Sequence, residues 1–357
     1  MKNECFHLDS ADKESIFLED LQYIFDECKD LFEDIRNGSI FLTGGTGFIG
    51  IWMLEALFFS NKNSNLNINV TVLTRDVEKF REKCHRPIED YGFNFIQGDV
   101  TSFIYPEGNF THVIHAATDA SAYLNENHPD VMYRTIVMGT NRVLDFSVEK
   151  KVRKFLFLSS GAIYGQQPWE MTHISEDWSG SLNCLDARNT YAEAKRSAEM
   201  LCAIYAKKHE LNFTSARIFS TFGPFLPLDT HFAIGNFIKN SIEKKTITIN
   251  GNGLPHRSGL YISETIIWLF YTLISGHASV AYNIGSDESF SIEEIAKKVS
   301  GTLGGNDVVV LGKKDSGWNL GRYVPSVVRI KKELNVEQKI GFEEAVIRTA
   351  IWNGWKK

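Results

Sequence analysis

The sequence lacks any apolar run of the roughly 18–20 residues that a membrane span needs. The longest candidate, Thr265–Ile274, is about half that length and follows Glu264, so it reads as a buried helix. The chain does not open with a basic start and an apolar core, so no secretory signal is expected. Cysteine is sparse. Cys5, Cys28, Cys84, Cys184 and Cys202 form no CxxC pair and no even framework, which predicts a reducing cytoplasm and neither a disulfide scaffold nor a metal site. A basic surplus is also missing: the formal net charge is −6, which argues against a nucleic-acid partner. No repeat or low-complexity tract is visible, and the apolar and charged fractions are those of an ordinary globular chain.

The charge that is present is unevenly placed. Residues 1–38 hold eleven acids and four bases, whereas the remaining 319 residues are close to balance. Within that acidic segment Phe17, Leu21, Ile24, Cys28, Leu31 and Ile35 recur at alternating spacings of four and three. This is the stripe of one amphipathic helix, ending near Asn37-Gly38 and expected to pack on the body of its own chain. A docking helix for a partner is the alternative.

From Ser39 onward short β-rich runs alternate with helical stretches. Ser39–Thr43, Asn69–Thr74, Phe93–Gln97, His112–His115, Lys154–Ser159 and Asn212–Ile218 are the expected strands. Ile49–Ser60, Asp130–Lys150 and Tyr191–Leu211 are expected crossover helices. The alternation predicts an α/β fold with a Rossmann-type, doubly wound parallel sheet. After about residue 220 it weakens and Pro and Gly become denser, which marks a smaller C-terminal lobe. The expected division is an acidic helical extension (1–38), a dinucleotide domain (39–220, with 259–285 returning to it) and a lobe from 221–258 and 286–357.

The run TGGTGFIG sets Gly44, Gly47 and Gly50 in a GxxGxxG spacing between the first strand and a helix. The first glycine allows a sharp turn, the second lets backbone approach a pyrophosphate, and the third lets the helix pack on the strand. The helix start at Phe48, Ile49 and Gly50 then offers free N–H groups to phosphate. The second strand ends on Thr74 where an acid would read the ribose of NAD, and Arg75 follows. A guanidinium there suits the 2′-phosphate of NADP, so NADP is favoured, while Asp76 leaves NAD open. Asp99 and Val100, and then Ala116 and Ala117, close two later strand ends on the same cofactor. His115 is read as a packed strand residue.

Tyr191 and Lys195 form the chain's one YxxxK, on one face of a helix. A nearby ammonium and an oxidised nicotinamide would bring a phenol of ordinary pKa about 10 toward working pH. Ser160, at a strand end, would hold the same substrate oxygen.

With these motifs in view the chain resembles the extended short-chain dehydrogenase/reductases, in particular the nucleotide-sugar epimerase/dehydratase group. The resemblance runs from about Ser39 to the C-terminus. It is carried by TGGTGFIG, GDV, VIHAA, MGTNRVL, SSGAIYG, YAEAK, RIFSTFGP, NGNG with HRSGLYISE, and YNIGS. It implies a Rossmann domain holding NAD or NADP, a lobe gripping a nucleoside-diphosphate sugar, and a homodimer. It assigns catalysis to Ser160, Tyr191 and Lys195, and substrate contacts to Thr118, Ser160, Ser220, Arg257 and Arg322.

The departures from the family pattern narrow the chemistry. Family dehydratases carry an Asp-Glu pair where this chain has Gly161 and Ala162, and family decarboxylases use a Glu at the position of Ala162. Ile136 and Ser220 stand where family asparagines stand, and Phe222 replaces a Tyr. The expectation is an epimerase acting by transient oxidation at C4, with an NADPH-dependent 4-keto-6-deoxy-sugar reductase as the alternative. A dehydratase, or a cofactor-binding protein without turnover, ranks behind both.

Overall fold

The computed structural model describes residues 10–118, 122–229, 232–313 and 321–356. The chain opens with α1 (Ser10–Asp34), β1 (Ser39–Thr43), α2 (Phe48–Ser64), β2 (Asn69–Thr74), the short α3 (Val77–Arg81), β3 (Asn94–Gln97) and β4 (His112–His115). It continues with α4 (Pro129–Glu149), β5 (Lys154–Ser160), α5 (Thr190–His209) and β6 (Phe213–Ile218). Then come β7 (His256–Arg257), α6 (Ile262–Ile274), β8 (Val280–Ile284), β9 (Phe290–Ser291), β10 (Arg322–Tyr323) and α7 (Phe342–Trp352), with further elements between.

Seven parallel strands form one sheet in the order β8-β6-β5-β4-β1-β2-β3. The apolar runs of the central strands are buried, as a sheet covered on both faces requires, while the edge strand β3 is only half-buried. The strand order reverses between β1 and β4, so a crevice opens at the carboxyl ends of those two strands. A second, three-stranded sheet, β9-β7-β10, lies in the C-terminal part. Helix α6, the apolar run that is too short for a membrane, is almost wholly buried. Among the described residues no helix is long and apolar enough to cross a membrane.

Helix α1 packs its stripe on the body. Phe17, Leu21, Ile24, Cys28, Leu31 and Ile35 are all buried, and the ring of Phe17 meets Trp52 of α2 edge-on at 5.1 Å. Polar contacts fix the register. The Asp20 carboxylate accepts from the Tyr261 hydroxyl at 2.6 Å and from Arg348 of α7 at 3.0 Å, and the Tyr23 hydroxyl donates to Glu264 at 3.0 Å. Asp20→Ala strips a buried phenol and a guanidinium of their shared acceptor. It is expected to lower stability by about 3 kcal/mol, read as a fall in the urea midpoint. Of the five thiols, Cys5 lies outside the described residues and the other four are unpaired.

Candidate active site

The glycine turn leaves β1 at the switch point. Gly44 has φ +74°, and a Cβ there would lie 2.5 Å from the Ala116 carbonyl carbon and 2.6 Å from the Ala117 nitrogen, at the end of β4. A Cβ on Gly50 would strike the Gly44 oxygen and come within 2.5 Å of the Gly45 Cα. Gly47 is different. A Cβ there would meet only the Gly44 oxygen, at 3.4 Å, so the space above it is open. Gly47 is also the N-cap of α2 and supplies no side-chain cap, which leaves the helix's first N–H groups for an anion.

Two cavities meet at this turn, sharing Gly44, Gly47, Ala116 and Thr118. The first, about 840 Å³, contains Phe48, Ile49 and Gly50 together with Ser160, Tyr191, Lys195 and Ser220. The second, about 580 Å³, contains Thr74, Arg75, Asp99, Val100 and Ala117. The Thr118 hydroxyl, on the shared wall, is buried with no hydrogen-bond partner. A pair of cavities joined at an uncapped helix start, with an orphaned hydroxyl between them, fits a dinucleotide lying across the turn.

The second cavity also contains Thr46, Lys79 and Lys83, which the sequence reading missed. Two lysines four residues apart just past the second strand were the available signal. Asp76, the acid that kept NAD open, caps α3 by accepting from the Lys79 nitrogen at 2.9 Å. Asp99 accepts from the Thr101 hydroxyl at 2.5 Å and its nitrogen at 2.8 Å. The Thr101 hydroxyl chiefly holds that carboxyl below its usual range, and nearby Arg75 adds to the effect.

In the first cavity Ser160 ends β5, its Oγ accepting from the Ala162 nitrogen at 3.1 Å. Tyr191 sits in the first turn of α5, its backbone nitrogen donating to Asn125 at 3.2 Å. Burial pushes the Tyr191 phenol above its usual value, while the nearby Ser160 hydroxyl pulls the other way. Lys195, one turn further, donates to the Leu158 carbonyl at 2.7 Å and lies 4.8 Å from the Phe157 ring centroid. Burial brings this ammonium down to about 7. The ammonium's hydrogen bond goes to a main-chain carbonyl and enclosure raises Tyr191, so the oxidised nicotinamide expected beside the phenol has a share in stabilising its phenolate.

The far wall is built by Phe219 and Tyr323, whose rings lie 4.6 Å apart, tilted by 34°. A Cβ on Gly161 would lie 2.7 Å from the Phe219 ring and 2.7 Å from the Tyr323 hydroxyl, so these rings fill the place of a side chain at 161. Arg257 is paired with Tyr323 across β7 and β10, and donates to the His256 and Gly321 carbonyls at 2.9 and 3.3 Å. Arg322 is paired instead with His256, and its guanidinium lies 4.5 Å from the ring of Trp169. Adjacent strand residues face opposite ways, so the two arginines expected to contact substrate sit on opposite faces of this small sheet, and neither lines the large cavity.

Other candidates are structural. His115 is buried between the hydroxyls of Thr43 (2.7 Å) and Thr140 (3.0 Å), and burial drops it to about 3, so it is neutral. The two acids that follow Ser160 at some distance in the chain, Glu176 and Asp177, are engaged in the fold: Glu176 accepts from the Asn283 nitrogen and Asp177 pairs with Arg329. Among the described residues no three His, Cys, Asp or Glu side chains are placed to hold a metal.

Comparison with known proteins agrees with this architecture. UDP-glucuronic acid decarboxylase 1 of Arabidopsis thaliana is 28% identical, over 87% of this chain and 68% of that protein. The UDP-glucose 4-epimerase of Thermotoga maritima superposes with a TM-score of 0.74 at 20% identity, covering 88% of this chain and 98% of that one. An NAD complex of the dTDP-glucose 4,6-dehydratase of Bacillus anthracis gives 0.72 at 20% identity, covering 88% and 96%. These two solved structures establish the shared Rossmann fold. The profile of the NAD-dependent epimerase/dehydratase family matches residues 40–285, and the chain therefore belongs to that family and takes NAD or NADP as its cofactor.

Proposed function

We propose that the protein is a nucleoside-diphosphate-sugar epimerase acting at C4, working in the cytoplasm as a homodimer. In this reading residues 39–220 and 259–285 hold the cofactor, and 221–258 with 286–357 grip the sugar nucleotide. One observation carries the reaction type. Among the described residues, the cavity around Ser160, Tyr191 and Lys195 is lined by no Asp or Glu. A hydroxyl, a phenol and an ammonium can move a proton on and off one sugar oxygen. They offer no carboxylic acid to expel water across a neighbouring bond. The curated relatives are decarboxylases by name, but Gly161 and Ala162 bring no acid to this cavity.

A bound oxidised nicotinamide would supply a hydride acceptor and a positive charge beside the phenol. Tyr191, as phenolate, takes the proton of the C4 hydroxyl as that carbon is oxidised, and returns it after the sugar has presented its other face. Ser160 donates to the same oxygen and steadies its developing charge. The walls of Phe219 and Tyr323 exclude water from the exposed ketone.

Arg75, Lys79 and Lys83 around the second cavity favour a second reading, an NADPH-dependent 4-keto-sugar reductase using the same three residues. Arg75→Ala is expected to weaken NADPH about tenfold to a hundredfold while leaving NADH within about threefold, measured by nucleotide fluorescence titration. Equal losses for both would remove Arg75 as a phosphate reader. Mass analysis of nucleotide released from purified protein separates the two functions: a retained, non-exchanging NAD(P)+ supports the epimerase, and an empty site with fast NADPH exchange supports the reductase. For the dimer, exposed Val131 and Met138 on α4 and Met200 and Ile204 on α5 supply apolar surface on two helices packed together.

A further inference from the structure

Among the described residues helix α1 lines neither cavity, yet it supports one wall of the first from behind. That wall includes Ser220, Thr221, Leu226 and Pro227. Between these two pairs the chain turns through Gly223-Pro224-Phe225. Phe225 has φ +71°, a left-handed backbone that a bulky residue keeps only where its surroundings enforce it.

The enforcement comes from an aromatic cluster behind the wall. The ring of Phe225 lies 4.7 Å from Trp352 of α7, 5.5 Å from Phe17 of α1 and 6.0 Å from Trp52 of α2. Phe17 also meets Trp52 and Trp352, at 5.1 and 5.7 Å, so its ring touches all three of the others. The Trp52 indole donates to the Pro224 carbonyl at 3.0 Å, and the Leu226 nitrogen donates to the Gly223 carbonyl at 3.2 Å. The turn is held on its outer side, and the next two residues line the cavity. A second contact runs beside the first. The Tyr261 hydroxyl donates to Asp20 of α1, and the two-residue strand Leu260–Tyr261 pairs in parallel with Thr221–Phe222. The Thr221 hydroxyl donates to the Leu260 carbonyl at 3.0 Å. Both ends of the wall therefore rest on one helix, through residues a single turn apart.

We propose that α1 is a strut for the substrate cavity: through Phe17 it holds Phe225 in its left-handed turn, and so places Leu226 and Pro227 against the bound sugar nucleotide. Phe17 and Phe225 are positioning residues, acting through the wall. What the wall grips rests on the sugar-nucleotide reading above, whereas the support of the wall by α1 is independent of it.

Two measurements on NAD+-loaded protein test this. Hydrogen exchange read by mass spectrometry follows the peptide over residues 220–228, and steady-state kinetics with UDP-glucose and with UDP-glucuronic acid follow the sugar. In Phe17→Ala that peptide is expected to exchange about tenfold faster. KM is expected to rise about tenfold with kcat within about threefold, the mark of lost binding and not of lost chemistry. Phe32→Ala is the control. Phe32 is buried on the same helix, about 22 Å further along it, and meets Phe270 of α6 at 4.9 Å. Its truncation is expected to destabilise the protein comparably and to move neither readout beyond about threefold. Phe225→Gly removes the anchored ring and adopts φ +71° without strain; it is expected to match Phe17→Ala and serves if that variant does not fold. Exchange at the parent rate in the folded variants, or an equal response in Phe32→Ala, overturns the strut. Faster exchange with an unchanged KM overturns the wall's grip on the sugar. Turnover of neither sugar by the parent protein overturns the proposed reaction instead, and the exchange rates alone then decide whether α1 holds the wall.

Discussion

Tyr191→Phe is expected to cut sugar turnover about a thousandfold, within the usual range for loss of a general acid–base group, while leaving NADH affinity unchanged. The substitution keeps a ring on the cavity wall and removes a single oxygen. Neither neighbour can replace it. Ser160 is a far weaker base, its Oγ already engaged by the Ala162 nitrogen, and Lys195 directs its proton to the Leu158 carbonyl. Steady-state kinetics combined with a fluorescence titration of NADH checks both halves. Turnover within tenfold of the parent protein would remove Tyr191 from the chemistry, and a parallel loss of NADH binding would mean that the phenol is structural.

The second large effect concerns two glycines a single turn apart that should behave differently. In Gly50→Ala the new methyl collides with the Gly44 oxygen and approaches the Gly45 Cα at 2.5 Å, while Gly44 is itself pinned at φ +74° against Ala116 and Ala117. Helix α2 must therefore move off the sheet, at a cost of about 2 kcal/mol, and NADH affinity is expected to fall about a hundredfold or more as the helix start leaves the phosphate position. In Gly47→Ala the methyl meets nothing in the protein closer than 3.4 Å. That variant is expected to melt with the parent protein and still lose the cofactor, because the methyl occupies the space of the pyrophosphate. Thermal melts and NADH titrations of the pair read the difference. Normal NADH binding by Gly47→Ala would place the cofactor elsewhere.

The parts of the molecule governed by local pattern were readable in advance. Ser39–Thr43, Asn69–Thr74 and His112–His115 are β1, β2 and β4 with the expected bounds, because a buried parallel strand is a short apolar run between turns. The stripe of α1 was legible for the same reason, since its period of 3.6 is written in six residues that all prove buried. What sequence alone missed depends on distant pairing. Tyr323 lies in a two-residue strand with no periodicity, and it reaches the cavity wall beside Gly161 only because β10 pairs with β7. The same pairing separates Arg257 from Arg322. Lys79 belongs to a helix too short for an apolar stripe. The bond from Lys195 to Leu158 was invisible because a YxxxK spacing fixes a shared helix face but not the direction of the ammonium.

The most direct measurement is proton NMR of NAD+-loaded protein incubated with UDP-glucose and, separately, with UDP-glucuronic acid, without added cofactor. The expected result is the C4 epimer of at least one of them, growing to a fixed ratio with no carbon dioxide released and no net NADH formed. Carbon dioxide from UDP-glucuronic acid, or a 6-deoxy-4-keto product from UDP-glucose, would contradict an active site that works without a carboxylic acid.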